Sequence, residues 1–328
     1  MTSPKELALV GLLFACLGGC GSPGGPSAVP PWMAAGTVLT FTSAETGLPV
    51  SGASVTVGLT PAYTTDSAGR IALRADIARS LNLLTVSHPA YLLRGTYLRD
   101  PEETSFTLWP NASATGADGN YARNIVYGAT MVAPEHFGIG APLRRLQSGT
   151  TMVSIVPSED IQRDAEAMTA HRHALAVATM ASGGRIQFIM DTASHASTVI
   201  RTTTDQNPPC PSGSIGCAQL DILQGYISGG WIRFPDMEFA RLPGNVAHEF
   251  GHALGFWHSG TSGDVMFVPP TWEDLKAGPP FSGRETFVLS LMYQRRAGNR
   301  WPDNDRGVAT SNSAGRHTEV ISCDFGGR

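Results

Sequence analysis

The chain has 328 residues, 42% of them hydrophobic, with 23 Lys and Arg against 27 Asp and Glu and a net charge of −4. That length holds about two domains of ordinary size, and without a lysine or arginine stripe the charge excludes the electrostatic footprint of a nucleic-acid binder. With 37 Gly, 23 Pro and only 15% charged residues, the composition suits a loop- and strand-rich extracytoplasmic protein.

At the start of the chain, Lys5 precedes an apolar run from Leu7 to Leu17, followed by Gly18-Gly19-Cys20. The run is too short to cross a bilayer as a helix and has the layout of a signal peptide over residues 1–19. Leu17-Gly18-Gly19-Cys20 resembles a bacterial lipobox. That resemblance implies cleavage before Cys20, acylation of Cys20, and a membrane-anchored protein at the cell envelope or cell surface. An ordinary secretory signal with an incidental cysteine is the alternative. Residues 20–35, rich in Gly, Pro and Ser, read as a flexible tether.

From 36 to 110 the pattern changes to short alternating strands, at residues 37–41, 53–57, 71–73, 83–86 and 105–108, with turn signals such as Asp66-Ser67-Ala68-Gly69 between them. This spacing predicts a small all-β sandwich. Gly47-Leu48-Pro49-Val50-Ser51-Gly52-Ala53 and Thr64-Thr65-Asp66-Ser67-Ala68-Gly69-Arg70 resemble the carboxypeptidase regulatory-like (transthyretin-like) domains, which implies a spacer or binding role. Residues 111–141 form a polar linker with no assignable element.

A second domain is expected over residues 142–305. Strands are predicted at 151–156, 185–190 and 231–234, and Ser158 can cap a helix from Glu159 to about Met180. Cys210 and Cys217 enclose a turn-rich loop that can close as a small disulfide in an oxidising compartment. Ser282 and Glu285 form a capping box for a helix running to about Arg296 and ended by Gly298. The polar, glycine-rich tail, residues 306–328, is expected to be loosely ordered, and Cys323 within it has no assigned partner.

The most informative stretch is His248-Glu249-Phe250-Gly251-His252-Ala253-Leu254-Gly255-Phe256-Trp257-His258, the pattern H-E-x-x-H-x-x-G-x-x-H. On a helix, residues four apart share a face, so His248 and His252 can aim at one point. Gly255 can take the left-handed conformation that turns the chain back and brings in His258. Three neutral imidazoles hold a zinc ion with one coordination position open, the arrangement of a catalytic site. Glu249, about 100° around the helix, can serve as general base and then as proton donor to a leaving amine. The expected reaction is hydrolysis of a peptide bond.

These residues resemble the metzincin clan of zinc endopeptidases and, within it, the matrixin-like (matrix metalloprotease) group, which carries a serine after the third histidine, as at Ser259. Met266, eight residues past His258, matches the methionine of the Met-turn, a hydrophobic floor under the metal; Met292 is the weaker candidate. The resemblance implies an α+β catalytic domain with a twisted mixed sheet, an active-site helix and a C-terminal helix. It also implies a substrate pocket at Phe267, Val268, Pro269 and Pro270, a protein or peptide substrate, one catalytic zinc, and calcium by family habit, although no acid-spaced loop defines a calcium site. The chain departs from the group in lacking a P-R-C-G-x-P-D-like cysteine switch, so no blocking thiolate is expected. It also lacks the histidine and aspartate cluster of a second zinc. His88, His136, His171, His173, His195 and His317 read as surface or packing histidines. Two other functions stay open: a zinc-binding surface lipoprotein with an adhesion or binding role, and a zinc amidase acting on a cell-wall or glycopeptide amide.

Overall fold

A computed structural model describes residues 31–128, 141–147, 149, 152–191, 196–207, 209–268, 270–305 and 317–324. The signal peptide, Cys20, His136, His195 and Pro269 lie outside the described residues. Among those described, the chain is a mixed α/β protein with three sheets and seven α-helices. No described helix is long and apolar enough to cross a membrane.

The first two sheets are built from β1 (Val38–Ser43), β2 (Ser54–Val57), β3 (Tyr63–Thr64), β4 (Arg70–Ala72), β5 (Leu83–His88), β6 (Tyr91–Tyr97) and β7 (Ser105–Leu108). One has the order β4-β1-β7 and the other β3-β2-β5-β6. Alternation drives the pairing: Leu39 and Phe41 of β1 are buried while their neighbours face outward. Their inward side chains meet Ile71, Phe106, Val55, Val57, Leu84 and Val86 in one shared core. β3 and β6 were not expected from the sequence, β3 because two residues leave no period to read.

Residues 111–141, expected to carry no element, contain helix α1 (Gly119–Tyr127). Asp118 caps it by accepting the Tyr121 N–H, and Gly128 ends it in the left-handed conformation. Its buried side, with Tyr121, Ile125, Val126 and Tyr127, packs into the larger core.

That larger core lies against the third sheet. Its strands are β8 (Arg145–Leu146), β9 (Met152–Pro157), β10 (Gln187–Met190), β11 (Thr198–Thr203), β12 (Ser214–Leu223), β13 (Tyr226–Arg233) and β14 (His317–Asp324). The order is β10-β9-β11-β13-β12-β14, with β8 pairing β13. β9, β10, β11 and β13 are parallel, β12 returns antiparallel to β13, and β14 lies antiparallel to β12. Of these, β8, β11, β12 and β14 are not expected from the sequence; β14 falls in the tail expected to be loosely ordered.

Five further helices complete this part, and a sixth carries the candidate site. The single helix expected from Glu159 to about Met180 is two, α2 (Glu159–Arg163) and α3 (Ala165–Ala181). The break is at Asp164, whose extended backbone lets its carboxylate accept the Ala167 N–H at 2.9 Å and bind Arg241 at 2.5 and 3.0 Å. Next come α4 (Met237–Ala240), α5 (Pro243–Leu254), α6 (Trp272–Ala277) and α7 (Gly283–Met292). The capping box at Ser282 and Glu285 forms as expected, but α7 stops at Met292 instead of continuing to about Arg296. Beyond it Arg295 turns inward to form two bonds with Asp303, at 2.8 and 2.9 Å.

Asp303 also accepts from Arg94 of β6 at 2.8 Å, and Asp305 accepts from the same guanidinium at 3.0 Å. Arg295 reaches the Thr107 carbonyl of β7 at 2.8 Å. Backbone bonds Gly95 N–H to Asp303 O and Asp305 N–H to Gly95 O, at 2.9 and 2.8 Å, run alongside. Segment 303–305 therefore joins the two-sheet unit to the larger one through buried charge pairs.

Candidate metal centre

Helix α5 presents the site. Pro243 sits in its first turn, where a missing N–H costs nothing. Asn245 fixes the helix to the start of β12 by donating to the Ile215 carbonyl at 3.0 Å. Gly255 ends the helix with φ 108°, its N–H bonding back to Gly251 and His252. A Cβ there would strike the Arg144 carbonyl, so the turn that carries His258 depends on glycine in both conformation and space. The following segment is held from outside: Trp257 N–H donates to the Ile125 carbonyl of α1 at 2.7 Å.

The three rings converge, with centroids 5.1 Å (His248 and His252), 5.2 Å (His248 and His258) and 5.0 Å (His252 and His258) apart. His248 Nδ1 donates to the Val265 carbonyl at 2.7 Å and His252 Nδ1 to the Phe256 carbonyl at 2.8 Å. A carbonyl can only accept, so each Nδ1 carries the proton and each Nε2 keeps its lone pair. Burial holds the His248 imidazole down to about 4. His252 and His258 are pushed well below the usual range, first by burial and then by neighbouring imidazoles, with Arg144 adding to the effect. All three are thus neutral, the form in which imidazole binds a metal.

A fourth donor stands with them. Cys323 Sγ of β14 lies 3.4 Å from His252 Nε2 and 3.3 Å from His258 Nε2, and one donor atom from each of the four residues falls within 4.8 Å of the others. All four residues are buried. The edge of a tetrahedron with zinc-like bond lengths is about 3.5 Å between nitrogen and sulfur, so the spacing fits. His248 Nε2, buried and without a hydrogen-bond partner, is the orphan that a cation would satisfy. The group could therefore hold a metal ion. The sequence reading left Cys323 unassigned and expected no thiol here; a cysteine 65 residues beyond His258 has no spacing signal, and only the pairing of β14 brings it in.

Glu249 follows His248 on α5 and is fully buried. Neither carboxylate oxygen has a hydrogen-bonded nitrogen or oxygen partner, and burial pushes the carboxyl up to about 8, with the neighbouring Cys323 thiol pulling the other way. Gly216 of β12 makes room for it, since a Cβ at that position would overlap the carboxylate.

Met266 is fully buried beneath the helix, its sulfur filling the space that a Cβ on Gly251 would need. Met292, the weaker candidate, packs at the other end of α5, beside Gly255. Ser259 ties the third histidine to this turn: its N–H donates to the Met266 carbonyl at 2.7 Å and its hydroxyl to Asp264 at 2.6 Å. From α7, the Glu285 carboxylate accepts the Val265 and Met266 N–H groups at 3.2 and 2.8 Å, besides that of Ser282 at 2.7 Å. Sequence reasoning saw Glu285 only as half of a capping box.

Of the residues expected to line a substrate pocket, Phe267 and Pro270 share a small recess with Gly244, Val265, Leu275 and Pro279, while half-buried Val268 is outside it. Cys210 and Cys217 form a disulfide at the start of β12. Of the other histidines, His171 packs in the core, His173 bonds the Gly278 carbonyl, His88 accepts the Ala90 N–H, and His317 meets Glu319. None of them joins a metal-type cluster among the described residues. No protein-family model matches this chain, and a search of curated proteins finds no matching relative.

Proposed function

We propose that this chain is an extracytoplasmic zinc-dependent endopeptidase, with a metzincin-like, matrixin-type catalytic domain behind a β-sandwich of the carboxypeptidase regulatory-like type, anchored through lipid on Cys20. The observation that carries the reading is the convergence of three buried, neutral imidazoles on one point, with the Glu249 carboxyl buried beside them. His248, His252 and His258 would hold the ion, and a nitrogen- and sulfur-rich tetrahedral donor set suits zinc. When bound, zinc acidifies water and polarises a carbonyl within reach.

The remaining work falls to the chain. Glu249, next to His248 on α5 and with its proton affinity raised by burial, would take a proton from the attacking water and return it to the leaving amine. His248 and His252 are fixed in one tautomer by the carbonyls of Val265 and Phe256. β12, the strand beside the site, is paired with β13 on one side and β14 on the other, so an extended peptide would reach its backbone in place of β14.

Cys323 favours a second reading, because a fourth protein donor closes a tetrahedral site as in a structural zinc of a binding lipoprotein. Against it stands Glu249: a buried carboxyl without an N–H partner costs stability, and a purely structural ion has no use for it. The test is metal analysis of the full chain, followed by peptide-library cleavage with Cys323→Ala and with Cys323→Ala/Glu249→Ala. One zinc per chain and cleavage abolished by the second change are expected. Absence of zinc, or cleavage indifferent to Glu249, would overturn the proposal.

A further inference from the structure

β14 lies where an extended peptide would lie if it used β12 as its template. Its register on β12 runs from His317 opposite Ile222 to Cys323 opposite Gly216, and Gly216 is the residue packed against the Glu249 carboxylate. Side chains alternate along it: Thr318 and Val320 face out, while Ile321 is buried in the main core and Cys323 is buried among the three histidines. Glu319 points the same way as these two and forms a 2.6 Å ion pair with Arg144, whose guanidinium stacks 4.0 Å over the Trp257 ring next to His258. Backbone pairing with alternate side chains in pockets is how a strand-adding peptide is bound.

We infer that residues 317–324 are an internal occupant of the substrate groove, and that Cys323 is the fourth ligand of the metal, holding the site latent until the strand is displaced. This rests on the zinc-peptidase reading and deepens it: the groove takes an extended peptide running antiparallel to β12, and the chain supplies one itself. Three features meet at one place, and a stray cysteine would need none of them. They are the orphaned His248 nitrogen, the Sγ within 3.4 Å of two other imidazole nitrogens, and the strand that delivers the thiol. The carboxyl that the reaction needs is boxed in by the same strand, since the Cys323 thiol is its neighbour. Because occupant and groove belong to one chain, the local concentration of the occupant is in the millimolar range typical of tethered partners.

The test uses the full chain loaded with Co(II) in place of zinc, alongside Cys323→Ala and Cys323→Ser. A near-ultraviolet thiolate-to-cobalt charge-transfer band is expected in the unaltered chain and not in either variant, with about one cobalt bound per chain in all three. In the zinc-loaded forms, peptide cleavage should rise at least ~10-fold in both variants, as expected when a tethered competitor is lost. Metal bound without the band would overturn ligation by Cys323 and leave the peptidase reading standing. A band accompanied by cleavage no faster in the variants than in the unaltered chain would overturn latency. No metal in any form would instead strike the peptidase reading itself. The band in the unaltered chain requires no variant to fold, so the ligation claim stays testable whatever the substitutions do.

Discussion

Replacing Glu285 by alanine tests how the floor of the site is held. Its carboxylate accepts three backbone N–H groups, and two of these, from Val265 and Met266, belong to buried residues of the turn beneath the histidines. Removing it orphans both donors at ~1–3 kcal/mol each, and losing the return bond of the capping box adds about 0.5–1 kcal/mol. Ser282 keeps its own bond to the N–H at position 285, and its freed N–H is close enough to the surface to find water. The expected loss for Glu285→Ala is thus about 2.5–7 kcal/mol, a large part of the 5–15 kcal/mol of a typical domain. Glu285→Gln, which retains one acceptor oxygen, should fall between. Urea titration with an unchanged slope reads the stability. The Val265 carbonyl that orients His248 sits on the same turn, so zinc affinity by chelator competition should weaken by about 10–100-fold. Loss of less than about 1 kcal/mol, with zinc affinity unchanged, would show that the turn is held by packing alone and refute the reasoning.

Three further outcomes follow from the geometry. His171 is buried between α3, β11 and two phenylalanines, and burial holds it down to about 4 from an ordinary 6.5. As pH falls, the unfolded chain takes up this proton first, so stability should drop between those two values by up to about 3 kcal/mol; His171→Gln should remove that share of the slope in denaturant titrations from pH 7 to 4.5. Gly216→Ala, made in the Cys323→Ala chain, pushes a methyl group into the Glu249 carboxylate and should lower kcat/KM about 100-fold by misplacement, with zinc content unchanged; equal cleavage rates would refute a role for that fit. Asp303→Ala strips two buried guanidinium groups of their shared partner and should cost about 3–5 kcal/mol, whereas Glu273→Ala, at an exposed pair with Lys276, should cost under about 1 kcal/mol in the same urea assay.

What the sequence made legible was local. The histidine spacing and Gly255 at the end of α5 each act within a few residues, so the helix and its turn could be read before any fold was known. The same holds for the capping box at Ser282 and for the alternation of Leu39 and Phe41. Asp164 breaks the expected long helix because its carboxylate has two uses, capping α3 and binding Arg241, and the second comes from 77 residues away. α7 stops early for a similar reason, since Arg295 is drawn to Asp303 and to the Thr107 carbonyl. β14 is the extreme case: His317 to Asp324 has one strongly apolar alternation and a polar surrounding, and only β12, about a hundred residues earlier, gives it a reason to be a strand. Hence the first three donors could be read from the chain and the fourth could not.

The clasp between segment 303–305 and β6 has a mechanical consequence. In the stretch from Arg295 to Asp305, one end is pinned to the two-sheet unit by buried charge pairs with Arg94 and the other by hydrogen bonds from Arg295 to Thr107, so that unit is not a ball on a string. It forms the stator against which the half that carries the candidate metal centre is mounted. Whatever it docks on, a surface or a long polymer, would meet the groove at a set distance and angle, like work clamped in front of a fixed blade. The same clasp roots the chain just before residues 306–316, so the travel of β14 is measured from a fixed post.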